Sequence, residues 1–154
     1  MLPAVPAGVT PTWRWVDFRS QNTTVMGSPV AVGAVVRAFD PGGVQCGEFV
    51  VNHEGWYGLM PCYGDDPNTP GDEGATTNDP IHFTIDDQLA LPMGPDAAVW
   101  TANGALKVVD LAVIAVTSTA TPSVTPTSTS TPPGTIPAST ATPQVALHLP
   151  VIRR

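Results

Sequence analysis

The densest chemistry in this chain of 154 residues is acidic: Gly64 to Asp79 reads GDDPNTPGDEGATTND and holds Asp65, Asp66, Asp72, Glu73 and Asp79 without a basic residue. Like charges so crowded repel unless water solvates them or a hard cation gathers them, and carboxylates with loop carbonyls are the ligands calcium takes. Calcium is therefore the one metal this stretch points to. The spacing is not that of an EF-hand, and Pro67 and Pro70 favour instead an open surface loop whose carboxylates cap local turns.

Cys46 and Cys62 are the only cysteines. They are too few for a four-thiolate zinc site and too far apart for a CxxC redox pair. A structural disulfide made in an oxidising compartment is the preferred reading, and two buried thiols are the alternative.

Catalytic chemistry finds little support. No GxSxG, HExxH, Walker loop or GxGxxG occurs, and before residue 117 the serines are Ser20 and Ser28 and the histidines His53 and His82, none within a supporting motif. His53 beside Glu54 and Gly55 reads as a solvated turn pair. The chain is expected not to be an enzyme. Trp13, Trp15, Trp56, Trp100, Tyr57 and Tyr63 are the remaining candidates. They offer either a platform for stacking sugar rings or, as the preferred reading, buried anchors of a small core. Asn22-Thr23-Thr24 is an N-x-T sequon.

The charge balance removes another class. Thirteen acids oppose six bases, for a net charge of −7. Residues 1–116 hold all 13 acids and only Arg14, Arg19, Arg37 and Lys107, a net −9, so there is no basic stripe to neutralise phosphates and no nucleic-acid partner is expected. No apolar run reaches the length of a membrane span.

The elements that must hold these groups are read as β. WRWVDF (13–18) sets Trp13, Trp15 and Asp17 against Arg14, Val16 and Phe18. Strands are predicted there, at 34–39, 48–51, 56–61, 81–85 and 98–101, and at 105–116, the last buried on both faces. Turns are expected at Asp40-Pro41-Gly42-Gly43, Asp86-Asp87 and Ala102-Asn103-Gly104. Seven or eight short strands in about 100 residues make a β-sandwich.

Residues 1–12 form a Pro-rich leader without the basic and apolar regions of a signal peptide. The sandwich is assigned to residues 13–116. Residues 117–144 hold ten Thr, five Ser, six Pro and no charge, the composition of a disordered stalk or linker with hydroxyls suited to O-glycosylation. Residues 145–154, VALHLPVIRR, are a strand-like apolar tag in which Val145, Leu147, Leu149 and Val151 alternate with their neighbours.

Gly27-x-Pro29, Gly33-x-Val35-x-x-Ala38, Gly47, Gly55-x-Tyr57-Gly58, the acidic loop, Asp79, Ile81, Phe83, Trp100 and Val109-Asp110-Leu111 together resemble the immunoglobulin-like, transthyretin/carboxypeptidase-regulatory-like sandwich domains of secreted bacterial surface proteins. The Thr/Pro segment and Leu-Pro-containing tag are similar to the C-termini of such proteins. The resemblance implies secretion and an accessory role without catalysis. The expected function is a non-enzymatic extracellular or cell-surface structural or adhesive protein, docked to the surface or to a neighbouring subunit through its tag. A carbohydrate-binding module, with polysaccharide as partner, is the alternative.

Overall fold

The computed structural model describes residues 8–115. The stalk at 117–144 and the tag at 145–154 lie outside the described residues, as do most of the leader and Val116. No helix occurs among the described residues, which form nine strands: β1 (Trp15–Ser20), β2 (Thr24–Val25), β3 (Ser28–Pro29), β4 (Val35–Phe39), β5 (Gln45–Val50), β6 (Tyr57–Tyr63), β7 (His82–Ile85), β8 (Gln88–Pro95) and β9 (Ala105–Val113). The all-β class read from the sequence is what the described residues adopt.

The strands join in one curled mixed sheet. Its hydrogen-bonded path runs β5-β4-β7-β8-β9-β1-β6, and the short β2–β3 hairpin adds to β9 beyond β1. All neighbours are antiparallel except β9 with β1 and with β2. The β4–β5 turn is the expected one: Asp40 Oδ1 accepts the Val44 N–H at 2.7 Å, while the Asp40 N–H donates to the Val44 carbonyl. Asp86 and Asp87 turn β7 into β8 with φ of 47° and 65°, the left-handed pair of a two-residue hairpin.

Three observed strands, β2, β3 and β8, are absent from the sequence reading, and one predicted strand does not form. β8 is absent from the sequence reading because Pro92, Gly94 and Pro95 punctuate it. The sheet tolerates them because β8 divides its pairing: Gln88 to Ala90 pair with β7, and Leu91 to Pro95 pair with β9 across a register shift. No β7 strand faces the prolines, so no ladder bond is lost on that side. Conversely, 98–101 is not a strand. Trp100 instead buries its ring completely and donates its indole N–H to the Cys62 carbonyl at 3.0 Å. Ahead of β1, Val9 is buried and Thr12 Oγ1 donates to the Gly64 carbonyl.

Alternation packs the concave side. Val16 and Phe18 of β1, Val36 and Ala38 of β4, Phe83 and Ile85 of β7, and Val109, Leu111 and Val113 of β9 are buried. Phe18 meets Phe83 edge to face, with centroids 5.4 Å apart, so β1 touches β7 across the curl. β9 alternates buried and partly exposed residues, so it is covered on one face rather than on both as expected.

The two ends of the path, β5 and β6, come side by side without a ladder. Cys46 and Cys62 form a disulfide there, with Cα atoms 4.5 Å apart. Gly47 makes this approach fit: a Cβ at that position would sit 2.6 Å from the Pro61 carbonyl oxygen. Pro61 has no N–H to offer across the seam.

Replacing both cysteines by alanine is expected to cost about 3 kcal/mol in denaturant unfolding, the chain-entropy value for a loop of this length. Gly47→Ala, with the disulfide intact, is expected to lose about 1–3 kcal/mol through overpacking alone. Unfolding midpoints that match the wild type would show that the seam does not hold the fold.

Tyr57 supplies a pH-dependent test. Its hydroxyl donates to the Val109 carbonyl at 2.6 Å inside the core. Burial, and secondarily the negative charge of Asp110, push this phenol above its usual range. The folded state thus favours the neutral phenol, a contribution fully present below about pH 10 and lost as pH rises above it. Tyr57→Phe should cost about 1 kcal/mol at neutral pH and flatten the alkaline decline in melting temperature.

Candidate functional site

The acidic stretch leaves β6 at Gly64 and returns to it at Ala75. The Asp65 N–H donates to the Ala75 carbonyl, and the Ala75 N–H donates to the Tyr63 carbonyl. Gly74 touches the seam, and a Cβ there would collide with the Tyr63 carbonyl and crowd Cys46 Cβ. Within this closed loop and the turn that follows it, Asp66, Asp72, Glu73 and Asp79 serve separate backbone groups. Asp66 Oδ1 accepts from the Asn68 N–H at 3.0 Å and from its side-chain amide at 2.8 Å. Glu73 accepts from the Asp66 N–H and the Thr69 hydroxyl. Asp72 accepts from the Gly74 N–H, and Asp79 Oδ2 from the Thr76 N–H and hydroxyl.

Asp65, Asp72 and Asp79 border an open depression of about 580 Å³ together with Asp40. Among the described residues, however, no three metal-ligating side chains converge on a common point. The loop reads as a set of Asx-type caps. The Asn68 backbone N–H, then its side-chain amide, hold the exposed Asp66 carboxyl below its ordinary range, so the capped form is kept above that range and lost as acid protonates it.

The aromatic candidates divide sharply. Tyr57 and Trp100 are core residues, whereas Trp13, Trp15 and Trp56 are 57%, 37% and 41% exposed and Tyr63 is half-buried. Trp56 stacks on His53 with centroids 4.6 Å apart, at the opposite end of β6 from Tyr63.

Trp15 and Tyr63 are brought together. They are register partners on the outer face of the β1–β6 pair, and the next outward pair is Asp17 with Pro61. Cross-strand partners bring their Cβ atoms to about 4.5–5.5 Å. These four residues, with Pro11 and Thr12, line an open groove of about 370 Å³. The Trp15 indole N–H donates to Asp17 Oδ2 at 3.2 Å, fixing the ring beside a carboxylate. Arg14, on the opposite side of the strand, places its guanidinium 5.0 Å from the Trp100 ring centroid and 5.8 Å from that of Trp13. The groove therefore offers two aromatic surfaces, a hydrogen-bond acceptor and a phenol hydroxyl. The alternation of WRWVDF already placed Trp13, Trp15 and Asp17 on one side of a strand. Their partner Tyr63 was not legible, because it arrives through pairing with a distant strand.

Ser20 is buried and its hydroxyl donates to Asp110 Oδ1 at 2.6 Å, with Asn22 of the sequon donating to the other oxygen at 3.4 Å. This ties β1 to β9. No helix among the described residues is long and apolar enough to cross a membrane. Comparison with family models, curated proteins and solved structures returned no match.

Because four of its five carboxylates, all but that of Asp65, already accept hydrogen bonds in separate turns, the acidic loop is expected to bind calcium weakly. Melting curves with millimolar calcium and with chelator should coincide within about 1 °C, since a ligand held only by the native state would raise stability by mass action. A chelator-sensitive shift of many degrees would overturn this assignment.

Proposed function

We propose that this chain is a non-enzymatic extracellular or cell-surface adhesive protein that binds polysaccharide through the Trp15–Tyr63 groove. In this reading the curled sheet is an immunoglobulin-like sandwich of the kind found in secreted bacterial surface proteins. It is carried on the Thr/Ser/Pro-rich stalk at 117–144 and joins its neighbours through residues 145–152.

The observation that carries the reading is the outward aromatic pair. A domain with room in its core for Trp100 and Tyr57 leaves Trp15 and Tyr63 against solvent, side by side, with Asp17 next to them. A pyranose presents C–H groups on its faces and hydroxyls around its rim. An aromatic surface takes the first, and a carboxylate with a phenol takes the second. The groove is shallow and open, which suits an extended polymer more than a small enclosed ligand. The disulfide is compatible with an oxidising, extracellular setting.

Affinity electrophoresis of the full chain through gels containing soluble glycans tests the reading. Retardation by at least one polysaccharide is expected, and Trp15→Ala or Tyr63→Ala should weaken it about tenfold while leaving the melting temperature within a few degrees. Equal mobility in every glycan, or retardation unchanged in both variants, would reject the groove as a sugar site.

A further inference from the structure

The face that carries Trp15 and Tyr63 continues beyond their groove. β1 alternates along its whole length, so Trp15, Asp17 and Arg19 point outward while Val16, Phe18 and Ser20 are buried. On β6, Met60 and Cys62 are buried, and Tyr63, Pro61 and Leu59 lie on the outer side. The outward pairs run Trp15 with Tyr63, then Asp17 with Pro61, and there the register shifts. One residue of β1, Arg19, separates Phe18 from Ser20, while two residues of β6, Gly58 and Leu59, separate their partners Met60 and Tyr57.

This extra residue is a β-bulge, and it inverts the phase of β6 beyond it. Tyr57 enters the core, and Trp56 comes to the outer side with 41% exposure. Trp56 borders a second cleft, of about 190 Å³, with Arg19, Gln21, Gly58 and Leu59. Arg19 and Leu59 are the next outward residues after Asp17 and Pro61 of the first groove, so the two depressions abut along one pair of strands. The Trp56 ring is held by its stack on His53, and its backbone N–H donates to the His53 carbonyl at 3.0 Å.

We propose that Trp56 is a second stacking subsite of the polysaccharide site, so that one linear polymer of uncharged pyranoses runs along β1 and β6 from Trp15 and Tyr63 to Trp56. The proposal rests on the Trp15–Tyr63 groove being a sugar site, and it assigns the length and the charge of the polymer bound there.

Distance sets the length. The six steps from Tyr57 to Tyr63 cover about 20 Å at about 3.3 Å per residue. A disaccharide cannot touch both ends of that span, whereas a short oligosaccharide can. Two weak stacking contacts on one ligand reinforce each other, because binding at the first raises the effective concentration at the second. Both rings are placed in advance, Trp15 by its hydrogen bond to Asp17 and Trp56 by His53, so little side-chain freedom is lost on binding.

The residues between the rings suit a sugar rim. Asp17 offers acceptors, Arg19 offers donors, Gln21 offers both, and Arg19 forms no ion pair among the described residues. Leu59 on β6 and Leu106 on β9, the register partner of Asp17, are 59% and 47% exposed and flank this polar track with apolar surface for C–H faces. Charge selects among polymers. The track holds one carboxylate and one guanidinium, and residues 1–116 carry a net −9, so a polyuronate meets repulsion that no basic row offsets.

The test uses the full chain and the variants Trp15→Ala, Trp56→Ala and Arg19→Ala, each checked for wild-type near-ultraviolet dichroism. Affinity gels containing mannan or β-glucan, both uncharged, are compared with gels containing polygalacturonate or hyaluronate. At least one uncharged polymer should retard the chain, and neither acidic polymer should. Size-fractionated oligosaccharides of the retarding polymer are then titrated while the indole N–H resonances of Trp15 and Trp56, assigned through the variants, are followed. Oligosaccharides of six or more units should shift both resonances and bind about tenfold more tightly than the disaccharide. Trp56→Ala should remove that gain while the disaccharide still shifts Trp15, and Arg19→Ala should reduce the gain.

If Trp15→Ala weakens retardation but Trp56→Ala binds every length as the wild type does, the second subsite is wrong and the Trp15–Tyr63 groove stands alone. If retardation survives Trp15→Ala and is lost in Trp56→Ala, the groove reading falls and the extended site falls with it. Equal retardation by acidic and uncharged polymers overturns the charge assignment. Free mobility in every polymer overturns both the groove and its extension.

Discussion

The contact on which the rest of the structure depends is the seam between β5 and β6. A curled sheet has two terminal strands whose unpaired edges must be paired, covered or tethered. Here Pro61 withholds an N–H from the seam, and Gly47 lets the two backbones come too close for a side chain at that position. The Cys46–Cys62 bond then holds what a hydrogen-bond ladder would otherwise hold. Closing the curl brings Phe18 against Phe83 and makes one enclosed core from strands distant in sequence.

The seam also organises the polar features around it. The Cys62 carbonyl takes the Trp100 indole N–H, so a non-strand segment is pinned into the core by the strand that carries the disulfide. The acidic loop starts one residue after Tyr63, returns to the Tyr63 carbonyl, and passes over Cys46 at Gly74. Its negative charge is tolerated because the carboxylates are spread over separate N–H and hydroxyl donors at the surface, where water screens them. Four of the five carboxylates in these sixteen positions thus become loop architecture.

With the concave side filled, it is the convex side that the described residues present to solvent. Two outward surfaces depart from the polar pattern of a solvated sheet. One carries Trp15, Tyr63 and Asp17 on β1 and β6, and the other carries Leu89, Leu91 and Met93 on β8. The first follows from period-two alternation on strands whose opposite faces are buried, whereas on β8 only Ala90 is buried and the register shift between Pro92 and Gly94 interrupts the alternation. They differ in chemistry: the first joins aromatic rings to hydrogen-bonding groups, and the second is aliphatic with acidic residues at its end.

The sequence by itself determined the class of the protein and much of its local geometry. Alternation specified β1, β-branched and aromatic content specified β4 and β9, and turn chemistry specified Asp40-Pro41-Gly42-Gly43 and Asp86-Asp87, because all depend on residues adjacent in the chain. The two cysteines could pair only with each other, but the sequence left two buried thiols as the alternative, and the meeting of β5 and β6 decided for the disulfide. Only the tertiary structure decided which aromatics are core and which are exposed. Alternation says that Trp15 and Val16 face opposite ways, but which side becomes the interior depends on how the sheet curls. Tertiary pairing likewise made a strand of β8 despite its prolines, by giving its two halves different partners, and denied strand form to 98–101, where burying Trp100 governs the backbone. Those outcomes were invisible locally because each is set by contacts between residues tens of positions apart.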